Sequence, residues 1–195
     1  MMASGFLRGR RGRILGVFSP LEAELLRSLV SQVVELVRDE APERKTTDDP
    51  LESLLDLDGG PLSKPEDPVL ARLLPDAYSD DQDAAGEFRR FTERTLRDQK
   101  AEQGRLVITD LEQAGLSGEV DADDEPIELD LAAEQSQVWL RCLTDVRLAL
   151  ATRLGVEQDD EEYWDSLPDD DPRVYMHDVY DWLGYVQETL VQALS

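Results

Sequence analysis

Side chains that could perform catalysis are few and far apart in this sequence. Cys142 is the only cysteine and His177 the only histidine in a chain of 195 residues. A structural zinc ion needs about four nitrogen or sulfur ligands and a catalytic one about three, so these two residues cannot build either site. The sequence therefore predicts no zinc-dependent chemistry.

The stretch from residue 121 to residue 132 begins like a calcium-binding loop, because Asp121, Asp123 and Glu125 alternate as the first ligands of an EF-hand do. Pro126 stands where that loop needs a glycine, and Ala132 stands where it needs a bidentate Glu. A solvated run of charge is the preferred interpretation. We expect no metal site here.

Glycine-rich motifs also fail to match a catalytic or nucleotide-binding loop. Residues 115–118 (Gly-Leu-Ser-Gly) are one residue short of a nucleophile elbow. Residues 59–65 lack the Gly-Lys-Ser/Thr order that cradles a phosphate. We therefore predict that the protein is not an enzyme and needs no cofactor.

His177 precedes Asp181 by four residues in a segment predicted to be helical, which places the imidazole and the carboxylate side by side. Such a pair could relay a proton, or it could be a plain surface ion pair. Nothing else catalytic stands near it in sequence, so the surface pair is the preferred interpretation.

Cys142 lies on the apolar stripe of a predicted helix, beside Trp139, Leu143 and Val146. Buried cysteines behave as small hydrophobic side chains, which favours inert packing. The alternative is a redox-reactive thiol, which would need an exposed and electropositive setting. We prefer the packing interpretation.

Four arginines cluster near the amino terminus, within 18 residues that contain no acid. They are Arg8, Arg10, Arg11 and Arg13. They could contact an acidic partner or a phosphate, because the rest of the chain is strongly acidic and offers no comparable basic surface. They could equally neutralise the acids of their own protein, which is the simpler interpretation.

Charge and composition exclude several classes of function. The chain has 20 basic and 44 acidic residues and a formal net charge of −24, which opposes direct binding of nucleic acid. No secretory h-region follows the amino terminus, and no apolar run approaches the roughly 18 residues that span a bilayer. With a single cysteine, these features predict a cytoplasmic protein that is not inserted in a membrane.

The fold class predicted from hydrophobic periodicity is mainly α, an irregular helical bundle with a small N-terminal β-hairpin. We expect one domain over residues 1–195. Its predicted elements are a hairpin at 6–18, main helices at 19–39, 80–115, 130–154 and 172–194, and polar or acidic linkers at 41–67 and 156–171.

Caps and glycines set the predicted element boundaries. Ser19, Asp80 (or Ser79), Asp130 and Asp171 are the expected caps of the four main helices, and Gly104 is expected to kink or break the second. Short helices are predicted after Pro50 and after Pro68, and 127–129 is a candidate third strand. The expected core includes Trp139, Trp182 and Leu183.

Four stretches of the sequence carry a family resemblance. They are residues 67–78 (DPVLARLLPDAY), 87–92 (EFRRFT), 139–155 (ending DVRLALATRLG) and 180–190 (YDWLGYVQETL). Together they resemble the actinobacterial domain-of-unknown-function family 2017, the oxidative stress regulator AosR family. The resemblance runs from about residue 6 to residue 194, and its last two stretches are the most distinctive.

The resemblance implies a regulator of transcription in the stress response, without enzyme activity and without a DNA-binding motif of its own. Such a regulator contacts a protein partner, namely an alternative sigma factor or RNA polymerase. The alternative is an adaptor protein linked to Clp proteolysis or to cysteine and sulfur-carrier metabolism, with no transcriptional role. An intrachain disulfide switch needs two cysteines, and this chain has Cys142 alone.

Overall fold

The computed structural model describes residues 4–39, 62–78, 80–158, 160–168 and 170–195. The elements in chain order are β1 (Gly5–Arg8), β2 (Ile14–Phe18), α1 (Pro20–Asp39), α2 (Pro68–Leu73), α3 (Gln82–Gln113), β3 (Ile127–Leu131), α4 (Ala133–Leu154), α5 (Glu161–Asp165) and α6 (Pro172–Leu194). The fold is mainly α-helical with a small antiparallel sheet, which confirms the predicted fold class.

The sheet contains three strands in the order β1-β2-β3, each antiparallel to its neighbour. In β2 and β3, buried and more exposed residues alternate, so one face of the sheet packs on the core and the other faces solvent. The predicted third strand exists and extends to Leu131. The prediction that Asp130 caps a helix is therefore wrong, because Asp130 lies within β3 and pairs with Leu15.

The helix after β3 begins at Ala133, and its first turn is held by Gln135. The Gln135 Oε1 accepts a hydrogen bond from the Ala132 N–H at 3.0 Å, which satisfies a backbone donor that the turn would leave free. This is one half of a capping box, because Ala132 has no side-chain oxygen to accept from the N–H groups of the first turn. Gly155, with φ of 71°, ends the helix.

The predicted caps of α1, α2 and α6 are confirmed by hydrogen bonds. At α1 the Ser19 N–H donates to Glu22 Oε2 at 2.8 Å, and the Glu22 N–H donates to Ser19 Oγ at 3.3 Å. The carboxylates of Asp67 and Asp171 accept from the first backbone N–H groups of α2 and α6. The hydrogen bonds from Arg173 lower the pKa of Asp171 to about 2.

The second main helix differs from its prediction at two places. Its cap is Asp81, whose carboxylate accepts from the Ala84 N–H at 3.0 Å, and not Asp80. It also continues through Gly104 without a break. A Cβ at Gly104 would lie 2.4 Å from Cγ2 of Val34, so this glycine allows α1 to pack closely against α3.

Trp139 lies at the centre of the core, between the sheet and the helices. It stacks on Phe18 at a ring distance of 6.4 Å and meets the edge of Phe6 at 5.5 Å. Trp139 and Leu183 are fully buried as predicted. Trp182, which was also expected in the core, is partly buried and packs against the core from the flank of the α6 stripe whose centre is Leu183.

The linker predicted at 156–171 is more structured than its acidity suggested. It contains the short helix α5, and the indole of Trp164 is buried and stacks on His177 at 4.3 Å. The predicted helix after Pro50 lies outside the described residues. Residues 62–67 of the linker predicted at 41–67 contain no helix or strand.

Across the ranges that the structure describes, no helix combines the length and the apolarity needed to cross a membrane.

Candidate functional site

The arginine turn, defined as Arg8, Arg10, Arg11 and Arg13, connects β1 to β2. The Gly9 N–H donates to the Arg13 carbonyl at 2.8 Å and closes the turn. Arg11 has φ of 57°, a left-handed conformation, and it is followed by Gly12 at φ of 77°. The reversal is therefore tight, and it sits at the end of the hairpin.

Three of the four arginines in the turn are available to a partner. Arg8, Arg10 and Arg11 are exposed, and none of the ion pairs within the described ranges involves them. Arg13 differs, because its Nε lies 2.8 Å from Oδ1 of Asp130 and its Nη2 donates to the Asp130 carbonyl. The structure thus gives Arg13 an internal role and leaves the other three guanidinium groups facing solvent.

Cys142 is buried in the core beside Leu143 and Val146. Burial, together with the nearby carboxylate of Asp145, raises the pKa of its thiol to about 12, and Lys100 opposes this rise. A thiol with such a pKa is protonated at neutral pH, whereas the thiolate is the reactive form. The geometry supports the packing interpretation of this cysteine.

Native-state labelling tests the accessibility of Cys142. We expect a thiol reagent to modify it slowly in buffer and at the rate of a free cysteine in denaturant, because the thiol is buried and protonated. Mass spectrometry of the labelled protein over time measures both rates. Rapid labelling under native conditions, together with disulfide-linked dimers after peroxide, would contradict the packing interpretation.

Lys100 and Asp145 form a partly buried ion pair that sequence analysis missed. Lys100 Nζ lies 2.7 Å from Asp145 Oδ1 across the contact between α3 and α4. Burial raises the pKa of Asp145, and the ammonium of Lys100 opposes that rise. A shallow groove of about 220 Å³ lies beside the pair, lined also by Gln99, Gln103 and Arg141. The two charges satisfy each other, so the pair ties the helices together.

A second ion cluster is buried along α3. The side chains of Arg97 and Glu93 are both only 4% exposed. Arg97 Nε donates to Glu93 Oε1 at 2.7 Å, and Arg97 Nη1 donates to the Val37 carbonyl at 3.0 Å. Arg89 pairs with Asp76 on the same side. These contacts hold α1 and the segment after α2 against α3.

The sequence did contain a signal for this cluster. Ala85, Arg89, Glu93, Arg97 and Ala101 recur every four residues, and all five are buried. Side chains four apart share a helix face. The two alanines at the ends of the series therefore indicate that this helix face is buried, although the three residues between them are charged.

His177 and Asp181 form the surface pair that was preferred over a proton relay. The Nδ1 of His177 lies 3.7 Å from Oδ2 of Asp181. The imidazole stacks on Trp164, whose Nε1 donates to Asp160 at 2.8 Å. His177 therefore helps to attach α5 to α6.

Taken together, the described side chains form charged surfaces and buried ion pairs. In the ranges that the structure describes, no three or more His, Cys, Asp or Glu side chains are grouped so as to hold a metal ion. Exposed charges of one sign are grouped at Arg8, Arg10 and Arg11 of the arginine turn and at the acidic residues around β3. Both surfaces suit contact with another macromolecule.

Comparisons with known proteins place this arrangement in a family. The family described as "Domain of unknown function (DUF2017)" matches residues 3–194. Proteins named "Oxidative stress regulator AosR" from Mycobacterium bovis (strain ATCC BAA-935 / AF2122/97) and Mycobacterium tuberculosis (strain ATCC 25618 / H37Rv) are 29% identical to the chain over 188 residues. These matches cover 93% of this chain and 82% of each relative.

A relative from Mycobacterium leprae (strain TN), whose name also contains AosR, is 30% identical over 184 residues and shows the same coverage. No solved structure shows significant similarity to the chain. The sequence comparisons therefore carry the family assignment.

Proposed function

This chain belongs to the DUF2017 family, and from that premise we propose that it is a non-enzymatic regulator of the oxidative stress response that acts by contacting another protein. The regulatory role is supported by the names of the mycobacterial relatives. The observation that carries the mode of action is the arginine turn, where Arg8, Arg10 and Arg11 project without internal ion pairs.

Electrostatics support a protein partner over a nucleic acid. A net charge of −24 repels phosphate backbones at long range. A turn with three free guanidinium groups attracts carboxylates locally, and charge complementarity of this kind raises association rates and selects partners. We propose an alternative sigma factor or RNA polymerase as the partner, with contact made through the arginine turn and without direct binding of DNA.

Redox chemistry is not part of the proposed contact. The only thiol of the chain is buried and protonated, so it does not form a disulfide while the protein is folded. The signal for oxidative stress then reaches the complex through the partner or through changes in its abundance. This assignment agrees with the slow labelling expected for Cys142.

Replacing the three free arginines tests the proposal. In the variant Arg8→Ser, Arg10→Ser and Arg11→Ser, we expect capture of the partner from cell extract to fall at least about fivefold and to lose most of its salt dependence. The thermal midpoint should stay nearly constant, since these side chains make no ion pairs in the described ranges. Affinity capture with quantitative mass spectrometry, at two salt concentrations, measures the effect.

The matched control is Arg38→Ser, Arg72→Ser and Arg141→Ser, which removes the same charge from exposed positions elsewhere. Recovery of sigma factor or polymerase by the wild-type chain and the control supports the proposal. Equal loss in both variants would show that overall charge, and not the turn, determines binding. Recovery of Clp components would favour the adaptor role, and a large drop in the thermal midpoint would favour self-neutralisation.

A further inference from the structure

The two edges of the three-stranded sheet differ. The edge at β1 is covered by α6, where the Phe6 N–H donates to Thr189 Oγ1 at 3.0 Å. This bond fixes the direction of the Phe6 N–H, which points away from β2. Phe6 stands opposite Gly16 in the register, so these two residues do not exchange backbone hydrogen bonds.

The other edge follows from the alternation of antiparallel pairs. Because Gly16 does not bond to β1, its N–H and carbonyl point to β3, where Leu129 is its partner. Glu128 and Asp130, on either side of Leu129, therefore point their N–H and carbonyl groups away from β2. The carbonyl of Asp130 is already occupied, because it accepts from the guanidinium of Arg13.

The outer edge of β3 is open at Glu128 within the part of the chain that the structure describes, whereas Arg13 occupies the carbonyl of Asp130. No described residue outside the sheet makes a backbone hydrogen bond to Glu128. The side chains of Glu128 and Asp130 are both exposed. An open edge presents unpaired N–H and carbonyl groups, which is the surface that extended peptides use when they add a strand to a sheet.

The stretch of chain around this edge is acidic. Residues 106–140 contain ten acidic residues and no basic residue. The guanidinium of Arg13 already binds both the carboxylate and the backbone carbonyl of Asp130, and none of the ion pairs within the described ranges involves Glu128. We propose that the open edge of β3 binds an extended segment of a partner protein, rich in Arg or Lys at alternate positions, as a fourth strand.

The register sets the chemistry of the bound strand. Side chains alternate across a strand, so a basic residue on the outer face would lie beside the carboxylate of Glu128, and the next one would share the carboxylate of Asp130 with Arg13. Residues between them would face the buried side, next to Leu129 and Leu131, and would be apolar. This surface is separate from the three free guanidinium groups of the arginine turn, and the proposal goes beyond the regulatory role without depending on it.

A synthetic peptide tests the edge directly. The probe is a fluorescein-labelled peptide in which Arg alternates with Val, and the full chain is titrated into it while anisotropy is measured. We expect binding by this peptide and none by its Glu-for-Arg counterpart. N-methylation of alternate amides keeps the charge but blocks strand pairing, and we expect it to weaken binding at least about tenfold. Bound peptide should also slow hydrogen exchange at the Glu128 amide.

Two protein variants that change the charge by the same amount distinguish strand pairing at the edge from general electrostatic attraction. Glu128→Arg alters the edge, and Asp123→Arg alters the exposed loop before it. We expect at least about tenfold weaker binding for Glu128→Arg and about threefold or less for Asp123→Arg. Equal effects of the two variants, or equal binding of the N-methylated peptide, would overturn the proposal. Absence of binding would also overturn it and would mean that the acids only protect the edge from aggregation.

Discussion

Replacing Trp139 with Ala is expected to lower the free energy of unfolding by about 3 to 5 kcal/mol. The indole is fully buried, and it fills the space between the sheet and the helices where it contacts Phe6 and Phe18. Its Nε1 also donates to Oδ2 of Asp110 at 2.8 Å. Alanine would remove the ring contacts, leave a cavity and take one donor from that carboxylate. Chemical denaturation followed by far-ultraviolet circular dichroism measures the loss.

Two further tryptophan variants serve as controls. Trp139→Phe keeps an aromatic ring but loses the hydrogen bond to Asp110, so most of the stability should remain, with a loss of about 1 to 2 kcal/mol. Trp182→Ala removes a half-buried ring on the flank of α6 and should cost less than Trp139→Ala. A loss below about 1 kcal/mol for Trp139→Ala would refute its central position in the core.

Local signals in the sequence predicted most of the fold. Apolar periodicity identified the four main helices and the hairpin, and Ser19 and Asp171 were correctly recognised as caps. The errors arose where tertiary packing overrides a local rule. Gly104 reads as a helix breaker, but the backbone of α3 continues through it because the neighbouring helix needs the space that a Cβ would fill.

The candidate surfaces were only partly predictable. The arginine turn was found because four basic residues in an acid-free stretch stand out in a chain of charge −24. Its division into one paired and three free arginines was not predictable, since it depends on Asp130 lying in the strand beside Arg13. The open edge of β3 was missed for the same reason, because a local reading assigned Asp130 to a helix cap.

The same hairpin thus places surfaces of opposite charge next to each other. The side chain of Arg13 binds Asp130 in β3, while the side chains of Arg8, Arg10 and Arg11 are exposed to solvent. Long-range electrostatic fields orient an approaching charged molecule, and short-range contacts determine specificity. If both proposed surfaces bind, a partner with separate basic and acidic segments would fit them together.

Replacing Glu93 with Gln is expected to cost about 3 to 5 kcal/mol of stability, because it leaves the charge of Arg97 buried without its counter-ion. Arg97 is 4% exposed and would keep only neutral acceptors, the Val37 carbonyl and the new amide oxygen, in place of a carboxylate. The exposed pair of Glu102 and Arg105 gives the control: Glu102→Gln should change stability by less than about 1 kcal/mol. Urea denaturation of both variants at low and high salt measures the difference.

The double variant Glu93→Leu with Arg97→Met distinguishes a missing counter-ion from poor packing. With both charges removed, neither charge is buried without a counter-ion. The double variant should therefore lose less stability than the sum of the two single variants. Salt should have little effect, because the pair is shielded from solvent. Additive losses would show that the two side chains do not interact, and a small loss for Glu93→Gln would place this part of α3 in contact with water.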